Sequence, residues 1–260
     1  MQVAKEHLDE LRYAKHLLEK PCLAAKLTDR IGAPIERGFQ LLPGNWSDTI
    51  QEAVSNSLTR ALDMAVRSLG KSDGPTRERL HTLAAITAGA TGGAFGLPGL
   101  LLELPISTTI IFRSIADIAR GEGEEIDSME TRLACLEVFA LGGRSRTDDG
   151  VETGYFAIRS ALAQSVSDAA RHIAERGLSE KGAPALVRFI SAVASRFGVT
   201  VSEKVAVMAV PAIGAAGGAV INSVFISHFQ GMARGHFIVR RLERIYDKQS
   251  IHKEYEGLDL

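Results

Sequence analysis

A few polar residues stand in apolar company and invite chemistry. Glu103 follows Leu100, Leu101 and Leu102 and precedes Leu104 and Pro105. A carboxylate placed there must be paired, reach solvent, or hold its proton more tightly than usual. Asn222 and His228 interrupt a long apolar run that begins near Ala209. Arg113 and Asp117 are four apart, the spacing that puts two side chains on one helix face, where they suit each other or Glu103. Glu103, Arg113, Asp117, Asn222 and His228 form a candidate buried polar site. Plainer readings of the same residues are a helix-start carboxylate beside Pro105, a surface ion ladder and a structural amide.

No complete catalytic or metal motif accompanies them. The chain has no His-Glu-x-x-His, no Gly-x-Ser-x-Gly and no Gly-x-x-x-x-Gly-Lys-Ser/Thr. GATGGAFG has the look of a phosphate loop, but no strand precedes it. His81, His228 and His236 would need Glu103, Asp117 and Glu137 from separate helices to hold a metal. We therefore assign no catalytic residue, no metal and no cofactor at this level. A second set, His236, Arg240, Arg244 and Lys248, falls at successive i+4 positions, with Ile238, Leu242 and Ile245 on another face. That pattern suits contact with an anionic membrane surface. Glu243 and Asp247 dilute the charge, so a solvated helix face is the plainer reading.

The elements that must position these residues are helices. From Ser47 the apolar residues Ile50, Ala53, Val54, Leu58, Ala61, Leu62 and Ala65 keep helical spacing. Further helices are expected over 3–19, over 21–31 with Pro21 at its first turn and Gly32 ending it, and over 76–95, 105–120, 129–141, 155–176, 186–197, 202–208, 211–229 and 236–246. Asp127 or Ser128 suits the N-cap of the segment METRLACLEVFAL. Pro34, Gly38, Pro43 and Gly44 mark a connector, Gly198 a break, and 250–260 a frayed tail. No period-two alternation persists, which predicts an all-α protein.

Two of these helices are glycine-rich. LAAITAGATGGAFGLPGLLL, at 83–102, carries no charged side chain, and AVPAIGAAGGAVINSVF, at 209–225, echoes it. Glycine inside a helix costs about 1 kcal/mol relative to alanine, so several together imply a return from packing. Gly89, Gly92, Gly93 and Gly96 on the first, and Gly214, Gly217 and Gly218 on the second, line bare backbone along one stripe of each helix. The expectation is a multi-helix bundle around a close-packed pair of these two helices, as one domain over 1–260 with 1–20 an N-terminal helix. A bilayer is the other environment that would accept such segments, since each is near the spanning length.

Composition bounds the function. Net charge is −1, from 30 basic and 31 acidic residues, and aromatics are 6%. That gives no pull toward nucleic acid and few rings for base stacking. Cys22 and Cys135 read as buried small hydrophobes in a reducing compartment. The charged N-terminus lacks the apolar core of a secretory signal, so the cytoplasm is expected.

The chain resembles the bacterial EcsC-type proteins. The resemblance rests on PCLAAKLTDRIGAPIERG, GATGGAFGLPGLLLELPISTTIIFRSIADIARGEGE, RLACLEVFALGG and PAIGAAGGAVINSVFISHFQGMARGHF, and covers most of 21–239. It implies a helical, glycine-rich architecture, a bacterial origin, and a link to membranes and to an ABC-transporter locus. It implies no catalytic residues. The expected function is therefore non-enzymatic, in the cytoplasm or peripheral to the inner face of the cell membrane. A membrane surface or a membrane transporter is the expected partner, nucleic acid is not, and self-association is left open. The alternative is an enzyme or small-ligand or metal-binding protein with its site between bundled helices.

Overall fold

The computed structural model describes residues 3–19, 23–31, 35–68, 78–94, 96–142, 154–177, 183–209 and 214–259. Among these there are eleven α-helices and no strand. They are α1 (Lys5–Glu19), α2 (Leu23–Ile31), α3 (Ile35–Leu41), α4 (Trp46–Ser68), α5 (Glu78–Ala94) and α6 (Gly96–Gly121). Then follow α7 (Met129–Leu141), α8 (Tyr155–Arg176), α9 (Pro184–Met208), α10 (Gly214–Tyr246) and α11 (Lys248–Gly257).

The bundle is laid around α10. Its 33 residues make a rod about 50 Å long at 1.5 Å per residue. Ile221, Phe225, Phe229, Ala233 and Phe237 recur at i+4 and are buried. That stripe lets α1, α2, α5, α6, α7 and α9 all pack on one helix. At mid-bundle Phe139 of α7, Phe197 of α9 and Phe229 of α10 meet with ring centroids 4.7–5.5 Å apart in tilted and edge-on geometry. Such pairs add about 0.5–1.5 kcal/mol each beyond their buried area.

Several boundaries differ from expectation, each for a local reason. The break expected at Gly198 is absent, and α9 runs through it. A Cβ there would lie 2.7 Å from Gln51 Oε1, so the glycine admits a side chain of α4 rather than ending the helix. The helix expected to start at His236 is the second half of α10. Pro105 lies inside α6 instead of opening a helix, leaving the Leu101 carbonyl without its helical donor. The connector over 34–44 contains α3. The tail expected to fray is α11, with Ile251 and Tyr255 buried. Asp247 makes the joint between α10 and α11 at φ 91°, and its carboxylate accepts from the Ser250 N–H at 2.9 Å. Ser128 is the N-cap of α7 and accepts from Thr131 N–H at 3.2 Å.

The chain's two ends clasp. The Ala4 N–H donates to Tyr246 Oη at 3.1 Å, and His7 Nδ1 meets the same hydroxyl at 2.8 Å. Lys15, buried in α1, donates to the carbonyls of Tyr255 at 2.9 Å and Leu258 at 2.8 Å.

α5 and α10, which carry the two glycine-rich segments, lie side by side. What Gly89, Gly92, Gly93, Gly96 and Gly214 touch lies outside the described residues, as does Cys22. Gly217 is half-buried and Gly218 buried. A close approach is described further along α10, at Gly235. A Cβ there would lie 2.7 Å from Leu18 Cγ and 3.0 Å from the Ala14 carbonyl. Gly231, one turn earlier, would place its Cβ 3.7 Å from Leu17 Cδ2, ordinary contact. The two substitutions should therefore differ in sign. Gly231→Ala gains helix propensity and stabilises by roughly 0.5–1 kcal/mol. Gly235→Ala gains the same but forces α1 outward at a cost of about 1–3 kcal/mol, a net loss. Urea denaturation of both variants reads the difference, and an equal shift for the two would contradict the close packing of α1.

Candidate functional site

A buried polar cluster in the apolar core joins four helices. Glu103 of α6 accepts from Lys204 Nζ of α9 at 2.8 Å and from Asn222 Nδ2 of α10 at 2.7 Å. The same amide donates to the Ala85 carbonyl of α5 at 2.9 Å. Exposure is 4% for Glu103, 1% for Lys204 and 1% for Asn222. Lys204 Nζ also stands 4.7 Å from the centroid of the Phe225 ring, within cation–π range. Burial alone would raise the pKa of Glu103. The Lys204 ammonium and the hydrogen bonds outweigh it and hold the carboxyl below its usual value. Glu103 is thus a buried anion held by the Lys204 ammonium, the Asn222 amide and the Ser107 hydroxyl.

Asn222 orients unambiguously, since both its acceptors need the NH2 group. That leaves its Oδ1 without a partner among the described residues, as are the hydroxyls of Thr108 and Thr200. The cluster has almost no solvent exposure. A buried ion pair of this sort is weak evidence for stability, because taking both ions out of water offsets much of their attraction.

The remaining sequence candidates lie elsewhere. Arg113 is exposed on α6. Asp117 holds His81 of α5 at 2.9 Å and Arg120 at 2.8 Å. His228 is buried, with Nε2 3.0 Å from the Gly142 carbonyl and Nδ1 3.4 Å from Lys26 Nζ. Only a protonated Nε2 can donate to that carbonyl, which leaves Nδ1 as the acceptor for the lysine. Burial, then the Lys26 charge, push its pKa down to about 4.

The four residues of the basic ladder do not share an open face. His236 is buried, with Nδ1 2.9 Å from Tyr155 Oη. Arg240 forks Glu124 at 3.0 and 3.2 Å. Arg244 bonds Glu124 as well and donates to the Glu122 carbonyl at 2.9 Å. Lys248 is exposed, beyond the joint at Asp247.

Sequence reasoning picked Glu103 and Asn222 but not Lys204, which joins them. The signal was present: Lys204 is a lone cation between Val201 and Val205, flagged by the rule that flags Glu103. By length and composition α9 is also the one helix among the described residues apolar enough to cross a membrane, and half of the qualifying window is buried.

Large aliphatic side chains stand outward on the α5–α6 hairpin. Leu80 and Leu83 of α5 are each 60% exposed, Leu102 of α6 is 77% exposed and Ile106 is 56% exposed. On α5, Ala84 and Thr87 are exposed too, completing an i, i+3, i+4, i+7 stripe.

The described residues form an all-α bundle with a buried polar clasp at its centre and an exposed aliphatic face. The chain belongs to the EcsC protein family, whose profile matches residues 5–242. No protein with a curated description matches it, and no solved structure does.

Proposed function

We propose that this EcsC-family protein acts at a membrane surface without turnover, laying the outer face of the α5–α6 hairpin into the boundary between headgroups and acyl chains. The observation that carries this reading is the outward stripe of Leu80, Leu83, Leu102 and Ile106. A Leu or Ile moved fully out of water contributes about 1.5–3 kcal/mol, so four partly exposed ones suit a reversible attachment. Arg113 is exposed on the same face of α6, seven residues after Ile106. There it can meet headgroup phosphates at the edge of the apolar patch. The basic ladder at 236–248 is a weaker candidate, because Arg240 and Arg244 already hold Glu124. The inner face of the cell membrane is the surface that fits a cytoplasmic chain.

Vesicle flotation tests the reading. Wild-type protein should float with phospholipid vesicles. Leu102→Glu combined with Ile106→Glu should stay at the bottom of the gradient with unchanged circular dichroism. Wild type that fails to float, or a double variant that floats equally well, overturns the proposal.

A small-ligand reading has one feature in its favour. A cleft of about 190 Å³ lies between α4 and α9, with Leu62, Leu186 and Ile190 among its apolar lining and Thr59, Asp63 and Ser191 among its polar lining. The membrane reading is preferred because its apolar side chains stand open to solvent, whereas Leu62, Leu186 and Ile190 of the cleft are already buried.

A further inference from the structure

The two ends of the bundle differ in character. α6 and α10 run parallel, because Glu103 bonds Asn222 and Glu122, just past the end of α6, bonds Arg241. The two links stand nineteen positions apart along both segments, about 28 Å of helix. The Glu122 end is charged: Arg240, Arg241 and Arg244 meet Glu122 and Glu124 there. At the Glu103 end Leu102 and Ile106 stand outward.

A second set of apolar side chains lies at that same end, on α3 and the start of α4. α3 packs on α9 so closely that a Cβ at Gly38 would overlap the Ala206 carbonyl. Lys204, two residues earlier in α9, is the residue that bonds Glu103. α4 runs antiparallel to α9: Gln51 reaches Gly198, while Thr59 and Leu62 share a cleft with Leu186 and Ile190. Carried back along α4, that register sets Trp46 level with Lys204. In this corner Phe39 is 45% exposed and Leu41 is 53% exposed. Trp46, the only tryptophan of the chain, is half-buried. Residues 38–46 carry no charged side chain.

We propose that the α3–α4 corner is a second membrane anchor: Phe39 and Leu41 enter the boundary between headgroups and acyl chains, and Trp46 sits at headgroup level. The inference rests on the membrane reading of the α5–α6 hairpin and adds a foot on a separate element, so that the Glu103 end meets the bilayer. Lipid is the occupant that suits the corner. It is joined to the hairpin face through Ala206, Lys204 and Glu103. Its tryptophan combines an apolar body with one N–H donor, the side chain favoured where a bilayer turns from apolar to wet. The first acidic groups beyond it, Asp48 and Glu52, are exposed on α4. The corner is thus an apolar anchor and not an electrostatic one.

Trp46 is the reporter for the test. The full chain is added to mixed phosphatidylcholine and phosphatidylglycerol vesicles with and without bromine on the acyl chains. Wild-type Trp46 fluorescence should be quenched by the brominated vesicles. Trp46→Phe with Ile245→Trp moves the reporter to the charged end, where quenching should be absent. Phe39→Ser with Leu41→Ser should bind vesicles roughly ten- to a hundredfold more weakly than wild type, with unchanged circular dichroism. Wild type that does not bind vesicles overturns both this anchor and the hairpin reading. Binding that needs Leu102 and Ile106 but leaves Trp46 unquenched overturns the anchor alone. So does a Phe39, Leu41 double variant that binds as tightly as wild type, and so does equal quenching of the reporter at 245.

Discussion

Lys204→Met destabilises the protein by about 3–5 kcal/mol, the cost of leaving one member of a buried ion pair without the other. The double change Lys204→Met with Glu103→Leu recovers most of that loss. The reason is the position of the cost. Glu103 and Lys204 are both out of water, and each is tolerated there only because the other is 2.8 Å away. Removing the ammonium strands a carboxylate whose remaining hydrogen bonds, from Asn222 and Ser107, bring no compensating charge. Removing both charges strands neither, and the Asn222 amide keeps its bond to the Ala85 carbonyl. Urea midpoints at constant slope give the three numbers needed. A double variant as unstable as the single one would show that the pair contributes net stability. Recovery would leave it the task of setting α6 in register against α9 and α10. In that case the double variant should fold yet show broadened side-chain signals around Phe225.

The second large effect is expected in acid. His228 is neutral in the folded state because burial and then Lys26 push its pKa down to about 4, from 6.5 when exposed. The unfolded chain therefore takes up this proton first as pH falls. The stability tied to His228 is fully present above about 6.5 and is lost progressively down to about 4. Over that window the loss amounts to about 3 kcal/mol, at 1.36 kcal/mol per unit. His228→Gln, whose amide can still donate to the Gly142 carbonyl, should flatten this limb of the stability curve while costing little at pH 8. Lys26→Met should raise the folded-state pKa of His228, so the limb ends at a higher pH and the total loss is smaller. An acid limb unchanged in both variants would mean that the loss arises elsewhere. Glu137 acts in the opposite direction. Burial raises its pKa, so its share of stability is present in acid and declines as pH rises from 4.5 through about 7. The two limbs run in opposite directions over overlapping windows and largely offset each other between pH 4.5 and 6.5, so the His228 limb is read as the difference between wild type and His228→Gln.

How much of this was legible beforehand follows from what each signal measures. Helical period reports burial of one face, so it found the helices. It also identified Glu103 and Asn222 as polar residues in apolar surroundings. Glycine and proline report what a residue permits, not what it does. Gly198 permits a break but is used for the approach of Gln51, and Pro105 permits a start but sits inside α6. The tail at 250–260 has little apolar content, yet Ile251 and Tyr255 are enough once α1 is there to cover them. Pairings were the least legible. Nothing local marks Arg240 and Arg244 for Glu124, or Lys204 for Glu103, because each pair is more than a hundred positions apart. A basic ladder on one helix looks the same whether it faces lipid or a buried carboxylate.

The clasp between the chain's ends has a consequence for how the molecule is made. Lys15 donates to the carbonyl of a residue 240 positions later. A ribosome adding roughly 5–20 residues per second therefore leaves α1 waiting on the order of ten seconds to a minute for that contact. During that interval Leu11 and Ala14 have no final cover, while α4 to α9 can already pack among themselves. The last helices then arrive nearly together, and α10 supplies the surface on which α1, α5 and α6 finally settle. Shortening the chain ahead of α10 should therefore yield not a smaller bundle but an assembly of helices lacking their common axis.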